Sequence, residues 1–375
     1  MNDKVEISQK IFVTSPLLPD IQGVYESLQE LYASKWITNM GAKHNELENA
    51  IKQELKVPNA KLFNNGTIAL LTAIKALNLP YGSEVITTPF TFAATPHCIS
   101  WNGLKPVFCD IEPQTMTINA DKIESLITPK TSAILGVHVY GFPCNVDKID
   151  KIARKHNLKV IYDAAHAFST ELDGVSIGNF GDITMFSFHA TKLFNTIEGG
   201  ALAYKDTNLS EKIHNLRNFG IKNEEFVEEI GINGKMNEIQ AAWGLLNLKQ
   251  YKAEQERRQK IKKFYDENLS KIRGIKVPQM PKNTTNSYQY YPIIVDDEYP
   301  LSRDEAYDKF KAINIMTRKY FYPACHDFEC YKNAKRADLS VTDEIKMKVL
   351  CLPFYGDLSE QVLGFICERI ENVFR

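Results

Sequence analysis

The chain has no close pairing of its cysteines. Its seven cysteines, Cys98, Cys109, Cys144, Cys325, Cys330, Cys351 and Cys367, are scattered, and no Cys-x-x-Cys occurs. An odd number without close pairs argues against a disulfide framework or a zinc site, and for reduced thiols. Excess charge of one sign is also missing. Lys and Arg number 45 against 46 Asp and Glu, a net charge of -1. That excludes the global basic field expected of a nucleic-acid binder. No apolar run is long enough to cross a bilayer. The start, Met1 to Glu6, is polar and charged, so no secretory signal and a cytoplasmic location are expected. Internal repeats and low-complexity tracts are lacking. So are the Gly-Lys-Ser/Thr element of a Walker loop and the Gly-x-Gly-x-x-Gly of a dinucleotide site.

What is present is an ordinary globular composition, 44% hydrophobic and 24% charged, over 375 residues, enough for two domains. Helical spacing relates Ile21, Val24, Leu28 and Leu31, and again Leu47, Ile51 and Leu55. The short apolar segment Lys61–Phe63 runs into Asn64-Asn65-Gly66-Thr67 and a helical run from Ile68 to Leu77. Strand-like runs follow at Glu84–Thr87, Pro106–Cys109, Ser132–Val139, Leu158–Tyr162 and Ile183–Phe188. Helical segments around Thr95–Trp101, Asp121–Leu126 and Val146–His156 separate several of them. This alternation predicts an α/β domain with a largely parallel sheet buried on both faces. One long helix is expected from Glu238 to Ile272, with the domain junction inside it. A smaller α+β unit should follow, with a strand at Tyr290–Val295 and helices at Arg303–Ile313 and Ser359–Val373. The expected domains are 1–250 and 251–375.

Four places carry candidate chemistry. Lys192 lies in the largely apolar and aromatic stretch Met185 to Gly200. A desolvated lysine gives up its proton and becomes a nucleophilic amine. Asp163 ends an apolar strand, where open α/β sheets bind ligands, and His166 follows it closely. The turn carrying Gly66 and Thr67 opens a helix, and free N–H groups there suit an anion. Ser187, on the lysine's own segment, offers a further hydroxyl. Phe92, at a strand–helix junction, offers a ring face. Each also has an ordinary structural use: tight turn, helix cap, core histidine, strand serine, core aromatic. Taken together they supply a phosphate cradle, an aromatic platform, an acid for a ring nitrogen and an amine for an aldehyde. That set matches pyridoxal 5′-phosphate.

An ordered series of motifs carries a resemblance that covers nearly the whole chain. It comprises Lys35-Trp36-Ile37-Thr38-Asn39-Met40-Gly41, Asn65-Gly66-Thr67-x-Ala69-Leu70, Thr88-Pro89-x-Thr91-Phe92 and Asp163-Ala164-Ala165-His166-Ala167. It continues with Phe186-Ser187-Phe188-His189-x-x-Lys192, Glu198-Gly199-Gly200, Arg217-Asn218-x-Gly220 and Asn233-x-x-Met236-x-Glu238-x-Gln240. Tyr320-Phe321-Tyr322-Pro323 and Leu352-Pro353 close it. The chain resembles the nucleotide-sugar aminotransferases, pyridoxal-phosphate enzymes of fold type I, the aspartate-aminotransferase-like fold.

The resemblance implies that Lys192 bonds to the cofactor aldehyde and later shuttles protons. Asp163 would pair with the ring nitrogen, Phe92 would stack on the ring, and His166 would lie near the ring hydroxyl. Gly66, Thr67 and Ser187 would hold the phosphate. Asn233 would reach that phosphate from a neighbouring subunit, which implies a homodimer with its active sites at the interface. Tyr320 and Lys235 would touch substrate. The family commonly has arginine at the position of Lys235, and lysine loses the bidentate fork. L-glutamate would be the amino donor and a nucleotide-linked 4-keto-6-deoxy hexose the acceptor. The nearest branch makes TDP-4-amino-4,6-dideoxyglucose for surface polysaccharide such as O-antigen. A related dehydratase branch carries histidine in place of the lysine, so Lys192 favours transamination. Transfer at C-3, another fold type I activity such as a lyase, or a regulator that only binds the cofactor stay open at this point.

Overall fold

The structure, a computed structural model, describes residues 7–374. Met1 to Glu6, on which the reading of a non-secretory start rests, and the terminal residue 375 lie outside the described residues. Seven strands form the central sheet. They are β1 (Asn59–Phe63), β2 (Glu84–Thr87), β3 (Lys105–Phe108), β4 (Thr131–Val137), β5 (Lys159–Asp163), β6 (Ile183–Ser187) and β7 (Gly200–Tyr204). Their spatial order is β1-β7-β6-β5-β4-β2-β3. Strands β2 to β6 pair in parallel, while β7 runs antiparallel to both β1 and β6.

Alternate residues of these strands feed two different cores. Leu62, Ile86, Ile134 and Phe186 enter one. Phe63, Val85, Leu135 and Ile161 enter the other. A strand buried on both faces reads as a continuous apolar run, and that is why the parallel strands could be read from sequence. Strand β7 was not anticipated, because its Gly-Ala-Leu-Ala-Tyr has few branched side chains. A Cβ on Gly200 would lie 2.8 Å from the Gly66 Cα, so bulk is excluded where β7 begins.

The longer helices are α1 (Ile21–Ser34), α2 (Ala42–Glu54), α3 (Gly66–Ala76), α4 (Ala94–Trp101), α5 (Val146–His156), α6 (Leu209–Leu216), α7 (Glu238–Leu248) and α8 (Tyr251–Leu269). The smaller unit adds α9 (Arg303–Ala312), α10 (Ser340–Lys348) and α11 (Glu360–Glu371). The expected helix from Glu238 to Ile272 is two helices. Its break at Lys249 and Gln250 has a local cause. Asn247 donates its side-chain N–H to the carbonyls of Leu17 and Asn195, and Gln250 donates to that of Leu18. Meanwhile the N–H groups of Lys249 and Gln250 close tighter three-residue turns onto Leu246 and Asn247. The chain spends its polar groups on the segment before α1 and changes direction there.

Beyond the break, β8 (Ile275–Lys276), β9 (Tyr291–Val295) and β10 (Val349–Leu352) form a three-stranded antiparallel sheet. It has its own core, including Tyr265, Ile293, Phe310, Leu350 and Ile366. No helix among the described residues is long and apolar enough to cross a membrane.

Candidate active site

The carboxyl ends of β5 and β6, the start of α3 and the segment before β9 surround a cavity of about 620 Å³. Gly66, Thr67, Phe92, Asp163, His166, Ser187, Lys192 and Tyr320, all singled out from the sequence, line it. They come from positions up to 254 apart in the chain, between Gly66 and Tyr320.

Helix α3 begins at the cavity. Asn65 caps it, its side-chain oxygen accepting from the N–H of Ile68 at 2.8 Å. That leaves the N–H groups of Gly66 and Thr67 without intrahelical acceptors, at the positive end of the helix dipole. Glycine is required at position 66 by close approach. A Cβ there would stand 2.9 Å from the Ser187 Cβ, so helix start and strand end could not meet. The two N–H groups, the Thr67 hydroxyl and the Ser187 hydroxyl make a cradle for an anion.

Asp163 terminates β5 and is buried. Its two oxygens accept only from neutral donors. The Thr95 hydroxyl gives one bond at 2.8 Å and the N–H of Ala165 gives the other at 3.0 Å. Burial pushes its pKa up, against those two bonds and the charge of Lys192. This is a carboxylate that lacks a cation at hydrogen-bond distance, a costly state unless a ligand supplies one.

Lys192 follows the end of β6 on a turn closed by its N–H to the carbonyl of His189 at 2.8 Å. Burial lowers its amine to about 8, and the charge of Asp163 works in the opposite direction. The ammonium stands 5.7 Å from the ring centroid of Tyr290. One side chain fixes this turn from both sides. Gln289 donates to the carbonyl of Thr191 at 2.9 Å and accepts from the N–H of Leu193 at 2.8 Å.

His166 has a defined tautomer. Its Nδ1 accepts from the N–H of Tyr140 at 3.0 Å, so the ring proton sits on Nε2. Burial, and then the charge of Lys192, push its pKa well down, so the ring is a neutral donor. Tyr140 presents that N–H from a left-handed backbone, φ 55°. Phe92 stands at the cavity rim and is 62% exposed.

Two expected site residues do not line the cavity of their own chain. Asn233 forms an isolated bridge with Asn218, and its carbonyl accepts from the Asn64 side chain at 3.2 Å. Lys235 lies 4.8 Å from the ring of Phe219. Sequence reasoning also missed lining or supporting residues. Thr95 reaches Asp163 from α4, and Gln289, Tyr290 and Arg318 come from the smaller unit. None carried a local signal, since each gains its place through contacts distant in sequence.

The chain is 44% identical over 368 residues to dTDP-4-amino-4,6-dideoxy-D-glucose transaminase of Shigella dysenteriae, covering 98% of this chain and all of that one. Against the Escherichia coli enzyme of the same name it is 43% identical, with 97% of each covered. Among solved structures it is similar to DesI, determined in the presence of its TDP-sugar product. The TM-score is 0.93 at 34% identity, over 98% of this chain and 94% of that one. Helicobacter pylori PseC, an aminotransferase of pseudoaminic acid biosynthesis, gives 0.90 at 27% identity, over 98% and 99%. The fold is therefore the fold type I architecture that the resemblance implied. The model of the DegT/DnrJ/EryC1/StrS aminotransferase family matches residues 21–371, and the chain belongs to that family.

Proposed function

We propose that this protein is a pyridoxal-phosphate transaminase that moves an amino group from L-glutamate to a nucleotide-linked 4-keto-6-deoxy hexose, forming dTDP-4-amino-4,6-dideoxyglucose. The observation that carries the reading is a lysine amine lowered to about 8 in one cavity with an unpaired buried carboxylate and an anion cradle. The nucleotide, the position of amination and the sugar rest on the Shigella and Escherichia relatives.

The residues present fit the cofactor. Asp163 needs a cationic N–H, and a protonated pyridine nitrogen is one. The cradle at Gly66 suits a phosphate, and the Nε2–H of His166 suits a phenolic oxygen. When bound, pyridoxal phosphate supplies an electrophilic aldehyde and an electron sink. Gly66, Thr67 and Ser187 would hold its phosphate, and Asp163 would keep its ring nitrogen protonated. Phe92, at the rim, would offer its ring to one face of the cofactor. The Lys192 amine would take a proton from the donor's Cα and would later deliver one at the sugar carbon. The turn held by Gln289 aims that amine. Tyr320 lines the cavity and would touch the substrate.

In this reading the enzyme is a cytoplasmic homodimer that serves the synthesis of surface polysaccharide such as O-antigen. Asn233 and Lys235 serve the partner's cavity. Their positions outside their own chain's cavity support this. The chain divides into a cofactor-binding unit, 1–250, and a smaller unit, 251–375, and the separate core of the latter supports the division.

The test is an assay of purified holoenzyme with glutamate and a panel of nucleotide 4-keto and 3-keto sugars, read by 2-oxoglutarate release and product mass. Amination of dTDP-4-keto-6-deoxyglucose is expected to dominate. Preference for a 3-keto sugar, or no transfer to any, would refute the assignment.

A further inference from the structure

Once Lys192 is committed to the cofactor, the cavity needs another positive charge for its anionic reactants. His166 is not one, because its Nδ1 accepts a hydrogen bond and the ring is neutral. His189 faces Glu198, its Nε2 at 3.5 Å from the carboxylate. Beside the partner's Lys235, which the functional reading brings to this cavity, Arg318 is the remaining cation, and among the lining residues of the chain itself it stands alone. Its neighbour Lys319 is paired with Asp304 at 2.5 Å, whereas Arg318 forms no ion pair among the described residues. The guanidinium lies 5.5 Å from the ring centroid of Tyr320, which steadies it without neutralising it. Its backbone is anchored to a buried strand. The N–H of Arg318 donates to the carbonyl of Cys351 at 3.1 Å, and the N–H of Cys351 donates back at 2.8 Å.

We propose that Arg318 is a substrate-binding residue whose planar fork holds an oxyanion of a reactant, either a carboxylate of the amino donor or the diphosphate of the sugar nucleotide. The proposal rests on the functional reading above. The cradle at α3 is reserved for the cofactor phosphate, so a second anion needs a second site. Guanidinium matches both oxyanions with two parallel hydrogen bonds, which an ammonium cannot do.

The test compares wild-type holoenzyme with Arg318→Met and Arg318→Lys. One arm measures glutarate affinity by calorimetry and the glutamate half-reaction by the change in cofactor absorbance. The other measures dTDP affinity and the reverse half-reaction from the amino-sugar product. Losing a charge-assisted bidentate contact should weaken binding roughly ten- to a hundredfold. Arg318→Met is expected to show that loss with the cofactor spectrum unchanged, and Arg318→Lys to recover only part of it. Loss in the glutarate arm identifies a carboxylate, loss in the dTDP arm a diphosphate, and loss in both a site used in each half-reaction. Affinities within about twofold of wild type in both arms would overturn the proposal, and so would a loss that accompanies release of the cofactor. A wild-type enzyme inert in both arms would overturn the functional reading, and this proposal with it.

Discussion

In the proposed function, Lys192 owes its reactivity to where its amine is held. Burial favours the neutral form, and Asp163 opposes it, leaving the amine at about 8. Below that pH the amine is mostly protonated and cannot attack an aldehyde. The rate at which cofactor-free protein captures pyridoxal phosphate should therefore rise with pH to about 8 and then flatten. Asp163→Asn removes the charge that helps hold the proton on Lys192, so the midpoint should move to lower pH. The same change should collapse turnover, since in the proposed function the ring nitrogen would lose its anionic partner. Stopped-flow absorbance across pH reads the first effect, and an unmoved midpoint would break the electrostatic link between the two residues. Lys192→Ala should abolish transfer altogether, and persistent turnover would remove Lys192 from the chemistry. Gln289 and Thr95 hold these two groups in place without reacting themselves.

Among the elements, the turn between β1 and α3 depends on a buried ion cluster. Arg217 donates to the carbonyl of Leu62 on β1 at 2.6 Å and to Glu48 of α2 at 3.1 Å. Glu48 also accepts from Lys61 at 2.7 Å and from the N–H of Leu62 at 3.1 Å. Burial works against the Glu48 charge, but His44, Arg217 and Lys61 prevail, and its pKa falls far below the usual carboxylate range. The N–H of Gly234 then donates to the Arg217 carbonyl, and that of Asn64 to the Gly234 carbonyl. The cluster thus ties the segment bearing Asn233 to the cradle. Arg217→Met would leave part of this charge buried and uncompensated, which costs about 3–5 kcal/mol. Denaturant unfolding should report a loss of that order, and a change below about 1 kcal/mol would mean the cluster is dispensable.

At the scale of the molecule, α1 is covered on one side only, where Val24 and Leu28 face Ile239, Trp243 and Leu246 of α7. Its spacing predicts an amphipathic helix, yet Ile21 is 78% exposed, Tyr32 is 86% exposed, and only Leu31 is buried. With Trp36 and Ile37 also exposed, this is an apolar surface that the described residues do not cover. A second copy is the cover that the proposed shared site requires. Mixing Lys192→Ala with Asn233→Ala subunits tests it. Heterodimers would hold one site with both defects and one with neither, so activity should partly return once exchange is confirmed by mass. Two impaired variants that exchange and recover nothing would refute the shared site. So would a fully active monomer in dilute solution.

The parallel strands were legible because burial on both faces writes itself as continuous apolar runs. The lysine, the acid and the helix-start glycine were legible because each depends mainly on its immediate neighbours. Residue spacing could not show that Glu238 to Ile272 divides, since the cause lies in the carbonyls of Leu17, Leu18 and Asn195. It could not separate a core face from a docking face on α1, because periodicity reports that a stripe is apolar and not what covers it. Nor could it supply Thr95, Gln289, Tyr290 or Arg318 to the site. The sequence by itself determined the parallel strands and the candidate reactive groups; only the tertiary structure decided which distant side chains hold them, orient them and leave one guanidinium without an ion pair beside them. Local chemistry is written in order along the chain, whereas contacts across hundreds of residues exist only once it has folded.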